Sequence, residues 1–486
     1  MSTSNRGKYL DFYARCETGP ICPKKQFDTE VYWKNLNRIT KKYNIKYDPE
    51  HPIPVDDDVL DRLWEAAIEF VVACGVLCLD TERIIKFTEQ EIMDGLENLP
   101  TEVTWGEGKD AIVVRHRGFE DYDSGKNPVF TIGRISGPVT EDVHDSICLS
   151  YAKEPLIDLV QFQGAVSSIM GVPIKPSSPF ELLAEMKRQA MVLDVCRRAG
   201  RPGLPDKGST PVTLRAEMAG AMSGMRKGDM RHAYIMPHMC TDYDQMCRAA
   251  FWHANGFGVW SIGEAFVGSI SGGPATSAVN CLAELIVITL LYEPVQLGVW
   301  SCDGIYFTNA SRETFFVNNY SAASYMRHTH APSLWGGCAI ATAQVMSKEY
   351  FYEFGAGAIC TTVLGLGANG GSGCQSARPN HVTGLGVRWG AEVGRAVGKA
   401  RLTRKQANDI VNQILPKYQP YIDNKTLHTI GEGGFKEAYD LETVTPNERY
   451  MQIYESVKKE FQDLGLPMNH SREELLAAKD LRAAAA

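Results

Sequence analysis

Past residue 145 the chain repeats one pattern: a short apolar run, a polar or glycine-rich break, then a longer stretch with apolar residues at helical spacing. The runs are Leu159–Val166, Val212–Ala216, Ala233–Met236, Gly258–Ile262, Gly298–Cys302, Leu334–Ala339 and Ile359–Leu364. Between them the spacing predicts helices over Phe180–Ala199, Tyr243–Ala254, Thr276–Leu291, Arg312–Arg327 and Ala341–Phe354. The first follows Ser178-Pro179-Phe180-Glu181, where a serine oxygen can take an orphan N–H and proline suits the first helical position. Strands alternating with helices imply parallel pairing through helical crossovers. Seven or eight such units predict an α/β fold, a (β/α)8 barrel, with an open doubly wound sheet as the alternative.

The two ends read differently. Leu60, Leu63, Ala66, Ala67, Phe70 and Val71 mark a helix, and Thr88-Glu89-Gln90-Glu91 is a capping box for another. Residues 1–103 are therefore expected to form a helical extension. Ala111–Arg115 and Val129–Ile132 alternate and are β-branched, which predicts a small hairpin layer over 104–145. The barrel is expected over 146–400. Caps at Thr403-Arg404-Lys405-Gln406 and Thr445-Pro446-Asn447-Glu448 predict a helical C-terminal extension over 401–486.

Composition narrows the function classes. The 486 residues are 44% hydrophobic and 22% charged, enough for a large core. The net charge is −8 and no long basic run occurs, so no nucleic-acid footprint is visible. Thirteen cysteines, none in a Cys-x-x-Cys pair, read as reduced thiols of a cytoplasmic protein. The first residues are polar, with no apolar signal core, and the run at Leu285–Tyr292 is too short to span a bilayer. Neither a membrane nor a secretory route is expected.

In a barrel, reactive groups sit at the C-terminal ends of strands. That rule selects Glu264 and Asp303, each ending an apolar run. It also selects Lys207, the one cation besides Arg201 in the loop Gly200-Arg201-Pro202-Gly203-Leu204-Pro205-Asp206-Lys207-Gly208. Two prolines and three interior or flanking glycines make that segment a shaped loop that cannot sit mid-sheet. Asp229, Arg231 and His232 lie just before a run; His328 and His330 precede another. His328-x-His330 has no third ligand at a recognisable spacing, so no metal is expected. Gly365, Gly367 and Gly370 spell Gly-x-Gly-x-x-Gly, but Gly371-Ser372-Gly373 is no helix start, which argues against a dinucleotide site. A lysine near Glu264 and Asp229 could form a structural ion pair or act as an amine forming a Schiff base. The residues alone leave both open.

Several motifs in order decide more. They are Cys74-Gly75-x-x-Cys78-x-Asp80-Thr81-x-Arg83-Ile84, Gly137-Pro138-Val139-Thr140-Glu141-Asp142-Val143, Ala199-Gly200-Arg201-Pro202-Gly203, Ser311-Arg312-Glu313-Thr314 and Tyr439-Asp440-x-x-Thr443-Val444-Thr445-Pro446. With Tyr450-Met451-Gln452-x-Tyr454 and Asp463-Leu464-Gly465-Leu466, this series resembles the archaeal monomethylamine methyltransferase family. The resemblance implies a (β/α)8 barrel that passes a methyl group from monomethylamine to the cobalt of a separate corrinoid protein. It implies no permanently bound cofactor; the cobalt corrinoid is presented by that partner, and the barrel forms a homo-oligomer resembling ring-like hexamers. Lys207 stands where the family carries pyrrolysine, four positions after Gly-Arg-Pro-Gly and before a glycine. The position is therefore either a pyrrolysine printed as its parent lysine or a genuine lysine acting on another small methylated amine; a non-catalytic scaffold binding a corrinoid protein is the third reading. The resemblance further implies that Glu264 protonates the imine nitrogen and that Asp229 deprotonates the incoming amine. A family glutamine beyond Arg312-Glu313-Thr314 has no counterpart; His328 and His330 take its place as expected substrate contacts, with Asp303.

Overall fold

The computed structural model describes residues 8–135, 137–162, 168–338, 340–370, 379–424 and 434–469. Its centre is a parallel sheet of seven strands: β1 (Thr131–Ile135), β2 (Leu159–Phe162), β3 (Met230–His232), β4 (Gly258–Gly263), β5 (Gln296–Val299), β6 (Trp335–Gly336) and β7 (Gly367–Gly370). They lie in the order β2-β1-β7-β6-β5-β4-β3. The two edges are joined by the segment 205–207. Val160 N donates to Pro205 O at 2.9 Å and Lys207 N to Val160 O at 2.9 Å on one side; Met230 N donates to Asp206 O at 3.0 Å on the other. With this eighth stave the sheet has no free edge and is a closed barrel.

Eight helices follow the eight staves in turn: His144–Ala152, Pro179–Arg198, Leu214–Met222, Tyr243–Ala254, Pro274–Tyr292, Arg312–His328, Lys348–Val363 and Gly384–Ala400. Each packs on its neighbour and the last returns to the first, so the helical ring also closes. The fold is the expected (β/α)8 barrel. Helices Lys8–Thr18, Lys34–Lys42 and Asp57–Cys74 pack on the barrel helix Pro274–Tyr292, and Asp57–Cys74 reaches Arg312–His328 as well. At the other end of the chain, Arg404–Asp423 and Glu448–Asp463 pack on Lys348–Val363. Pro274–Tyr292 is the one described helix long and apolar enough to cross a membrane, and it is 89% buried inside the fold. The run at Leu285–Tyr292 is thus the second half of a 19-residue core helix.

Four expectations are corrected. The barrel begins at Thr131, ahead of the boundary expected at 146, because β1 pairs with β2 and β7 and not with the hairpin. The hairpin is Glu102–Trp105 with Ile112–Arg115. Ile359–Leu364 lies in the helix Lys348–Val363, and the eighth strand follows it at Gly367–Gly370; a short run buried on all sides does not reveal its period. Val212–Ala216 runs into the helix Leu214–Met222, while the stave belongs to the loop that seemed unable to join a sheet. Pro205 is tolerated there because it opens the stave and uses only its carbonyl. The residues from Ser471 onward, and Gly371-Ser372-Gly373, lie outside the described residues.

The hairpin closes the N-terminal end of the barrel. Gly106 N donates to Gly228 O at 3.0 Å and Glu107 N to Gly203 O at 3.0 Å, just before β3 and the 205–207 stave. Trp105 and Val114 join Phe130, Ile132, Leu159, Met230, Trp260, Ile262 and Trp335 in one apolar plug. Polar side chains of the barrel interior are thereby confined towards the C-terminal end.

Candidate active site

Side chains alternate along a strand, so every second residue of each stave enters the barrel. Beyond the apolar plug this places Arg134 after Ile132, Gln161 after Leu159, His232 after Met230 and Glu264 after Ile262. Lys207 enters from the short stave and is fully buried. Its Nζ lies 4.0 Å from the centre of the Trp260 ring and 4.4 Å from that of Trp335. Trp260 also donates from Nε1 to Lys207 O at 2.7 Å, so one indole covers the side chain and holds its backbone.

The stave is clamped from outside. Asp206 lies 3.4 Å from both Arg188 and Arg231, and accepts from Gly208 N at 2.9 Å. Burial alone would raise the Asp206 carboxyl; the two guanidiniums outweigh it and hold it below its ordinary range. Gly208 turns the chain at φ +73°, and a Cβ there would meet the Arg231 side chain at 2.6 Å. Only glycine lets the backbone leave the barrel at this point.

Among the described residues no carboxylate pairs with Lys207. Its Nζ has no hydrogen-bond partner among the described residues. Burial, then the charge of Arg134, pushes its amine well below the ordinary lysine range. Arg134 is itself enclosed, 5.2 Å from the Trp300 ring and 5.7 Å from that of Trp335. Burial lowers it to about 10, so it stays a cation at neutral pH. Glu264 retains some accessible surface although protein surrounds it. Burial pushes its carboxyl up to about 8 against the opposing pull of Arg134. It is a neutral acid at pH 7. Its peptide is gripped from the helix Pro274–Tyr292: Glu264 N donates to Glu284 Oε2 at 2.9 Å, and Asn280 Nδ2 reaches Glu264 O at 3.4 Å and Glu284 Oε1 at 2.8 Å.

The other expected site residues lie elsewhere. Asp229 precedes β3, at the plugged end of the barrel. Its carboxylate accepts from Asp206 N at 2.9 Å and from Arg226 N, Nε and Nη2 at 2.8, 3.1 and 2.9 Å. Burial and Asp206 raise it, but its oxygens are spent on building the stave, and the role of amine base does not fit it. His328 ends its helix, stacked on Trp64 at 4.8 Å and bound to Ser324 O and Asp61. His330 Nε2 contacts Leu99 O at 2.8 Å, beside the plugging hairpin. Both precede β6, so they face the closed end and are not substrate contacts. Asp303 is at the open end, but its Oδ1 accepts from Ile305 N and Tyr306 N at 2.8 Å each and shapes the loop.

The sequence reading missed Arg134 and the tryptophans Trp260, Trp300 and Trp335. It noted His232 without a role. For Arg134 and His232 the signal was a place two residues after the apolar interior positions Ile132 and Met230. Buried Gln161, Gln296, His232 Nε2, Trp300 Nε1 and Trp335 Nε1 have no hydrogen-bond partner among the described residues. Polar atoms in that state await a ligand or water. No group of three His, Cys, Asp or Glu side chains able to hold a metal occurs among the described residues.

A closed barrel with a buried lysine and a carboxyl of raised pKa towards its open end has the build of a barrel enzyme. The chain belongs to the monomethylamine methyltransferase MtmB family, whose model matches residues 8–466. It is 28% identical over 466 residues to the monomethylamine methyltransferase MtmB2 of Methanosarcina acetivorans, covering 94% of this chain and 97% of that one. It is 27% identical to MtmB of Methanosarcina mazei over the same shares. Two solved structures superpose with TM-scores of 0.86 over 94% of this chain and 98% of theirs. One is Methanosarcina barkeri MtmB at 26% identity, the other a hydroxylamine MtmB complex at 27%.

Proposed function

We propose that this chain activates monomethylamine at the side chain of residue 207 and passes the methyl group to the cobalt of a cognate corrinoid protein. The substrate is that of the named relatives. The observation that carries the reading is the fully buried Lys207 Nζ, against two tryptophan rings, beside a cation and, among the described residues, without an anion. Burial and the charge of Arg134 disfavour an ammonium here, and they outweigh the attraction of the two indole faces. An amide nitrogen in its place carries no charge, so the site fits a lysine acylated at Nζ, as in pyrrolysine. The pyrroline ring of that residue supplies an electrophilic imine carbon for an amine and a route for its methyl group to cobalt.

This chain's own residues do the rest. Trp260 and Trp335 fix the side chain's direction and exclude water from it. Glu264 keeps its proton at neutral pH and can donate it at a nitrogen carried by residue 207. Glu284 and Asn280 hold the Glu264 peptide still. The loops after the strands leave this end as the entrance for a corrinoid partner.

Two measurements test the reading. The mass of the peptide spanning residue 207 should exceed that of unmodified lysine by an acyl-linked methylpyrroline. Labelled monomethylamine, the purified protein and a reduced corrinoid protein should give methylcobalt. An unmodified lysine with transfer only from another methylamine would move the substrate assignment; no transfer from any would leave a binding scaffold.

A further inference from the structure

The expected amine base is absent from this end of the barrel, and what stands there is of another kind. His232 is buried, and its ring stacks on Trp260 at 3.8 Å with 6° between planes. The same indole carries Lys207 Nζ at 4.0 Å. Thr210 Oγ1 lies 3.2 Å from His232 Nδ1. Nε2 has no partner among the described residues, and it carries a lone pair in the tautomer whose Nδ1–H donates to that oxygen.

The surroundings of this imidazole are electropositive. Arg134 on β1 and Arg248 on the helix Tyr243–Ala254 act on it, and Lys207 adds to them only as a protonated amine, not once acylated. Arg248 is offset by Glu217 and Asp244. Tyr234, two residues past the strand, has its ring 5.2 Å away. Burial is the largest cause that holds the ring well below the ordinary histidine range, and Arg248 and Arg134 act in the same direction without any charge at residue 207, so it is neutral. Glu264 is protonated below about pH 8. The faces of Trp300 and Trp335, which would otherwise attract an organic cation, already carry Arg134. Among the described residues, a methylammonium ion entering at neutral pH would therefore meet the fixed charge of Arg134 and no ionised carboxylate.

We propose that this barrel takes its amine as the uncharged free base, and that Nε2 of His232 accepts a hydrogen bond from the amine N–H, leaving the nitrogen lone pair for residue 207. The inference rests on the methyl-transfer reading above. It requires no proton transfer within the site: the ammonium gives its proton to water before entry.

An alkylammonium ion has a pKa of about 10, so its free-base fraction rises about tenfold per pH unit below that value. The apparent KM for total monomethylamine, measured with the intact protein and its corrinoid partner from pH 6.5 to 8, should fall by about that factor per unit. A KM that stays flat overturns the proposal. His232→Phe keeps a ring to stack on Trp260 and removes the acceptor. It should raise KM by roughly three- to tenfold, the range of one hydrogen bond, with kcat nearly unchanged and the pH slope retained. His232→Asn, which restores an acceptor, should recover part of the loss. It also serves as the measurement if the phenylalanine variant does not fold. An unchanged KM in the folded variants removes His232 from the proposal. A wild-type protein that transfers no methyl group from monomethylamine at any pH fails the underlying reading, and the inference with it.

Discussion

Glu264 and Asp229 are both buried carboxyl groups beside barrel strands, and both have raised pKa values with burial as the largest cause. They stand at opposite ends of the barrel, and what surrounds their oxygens separates them. Asp229 accepts four donors from Asp206 and Arg226, so it organises the backbone. Glu264 is held through its peptide by Glu284 and Asn280, which leaves its own carboxyl at the open end. A perturbed carboxyl marks a reactive site only when its oxygens remain free to act. Burial alone does not distinguish these two.

The contrast is probed most directly at Glu264. Glu264→Gln preserves shape and removes the exchangeable proton. Methyl transfer should fall by a factor of about 10² or more, with the thermal midpoint little changed. In the wild type, kcat should decline as pH rises through about 8, because a carboxyl raised to that value loses its proton there. A glutamine variant with wild-type rates, or a kcat flat to pH 9, would remove Glu264 from the chemistry.

Asp229→Ala should show the reverse. It leaves Arg226 without its carboxylate and frees the Asp206 N–H that locks the eighth stave. Loss of one partner of a buried ion pair costs about 3–5 kcal/mol. Denaturant unfolding should show that loss. The protein that remains folded should keep the Glu264-dependent pH profile, since Asp229 does not touch the open end. A selective loss of turnover at unchanged stability would restore Asp229 to the reaction.

The same two residues show what the amino-acid pattern could convey. Alternation of apolar runs and amphipathic segments revealed the barrel, and capping residues placed helix starts: Thr88 with Glu91, and Thr403 with Gln406, form the expected boxes. Glu264 was legible because it directly ends an apolar run on the exit side of a strand. Asp229 misled because an acidic residue near a strand looks alike at either end, and only strand direction tells which end is open. The 205–207 stave was hidden by proline and glycine, and by having only three residues. Arg134 and the role of His232 were hidden because a polar residue within a barrel strand shows no sign of facing inward until the strand's register is known.

The weakest effect is expected where the sequence suggested substrate contact. His328 and His330 face the closed end, and each is engaged locally. His328 stacks on Trp64 and contacts Asp61, while His330 meets Leu99 O. His328 is partly exposed, and an exposed ion pair is worth about 1 kcal/mol or less. His328→Ala should therefore lower stability by about that amount, through its stack on Trp64 as much as through Asp61. The KM for monomethylamine should stay at the wild-type value. Since His232→Phe is expected to change KM and little else, the two histidine variants form a matched pair. Their KM values, taken in one assay, separate the open end of the barrel from its closed end without relying on stability at all. A KM raised by His328→Ala as much as by His232→Phe would erase the distinction between the two ends.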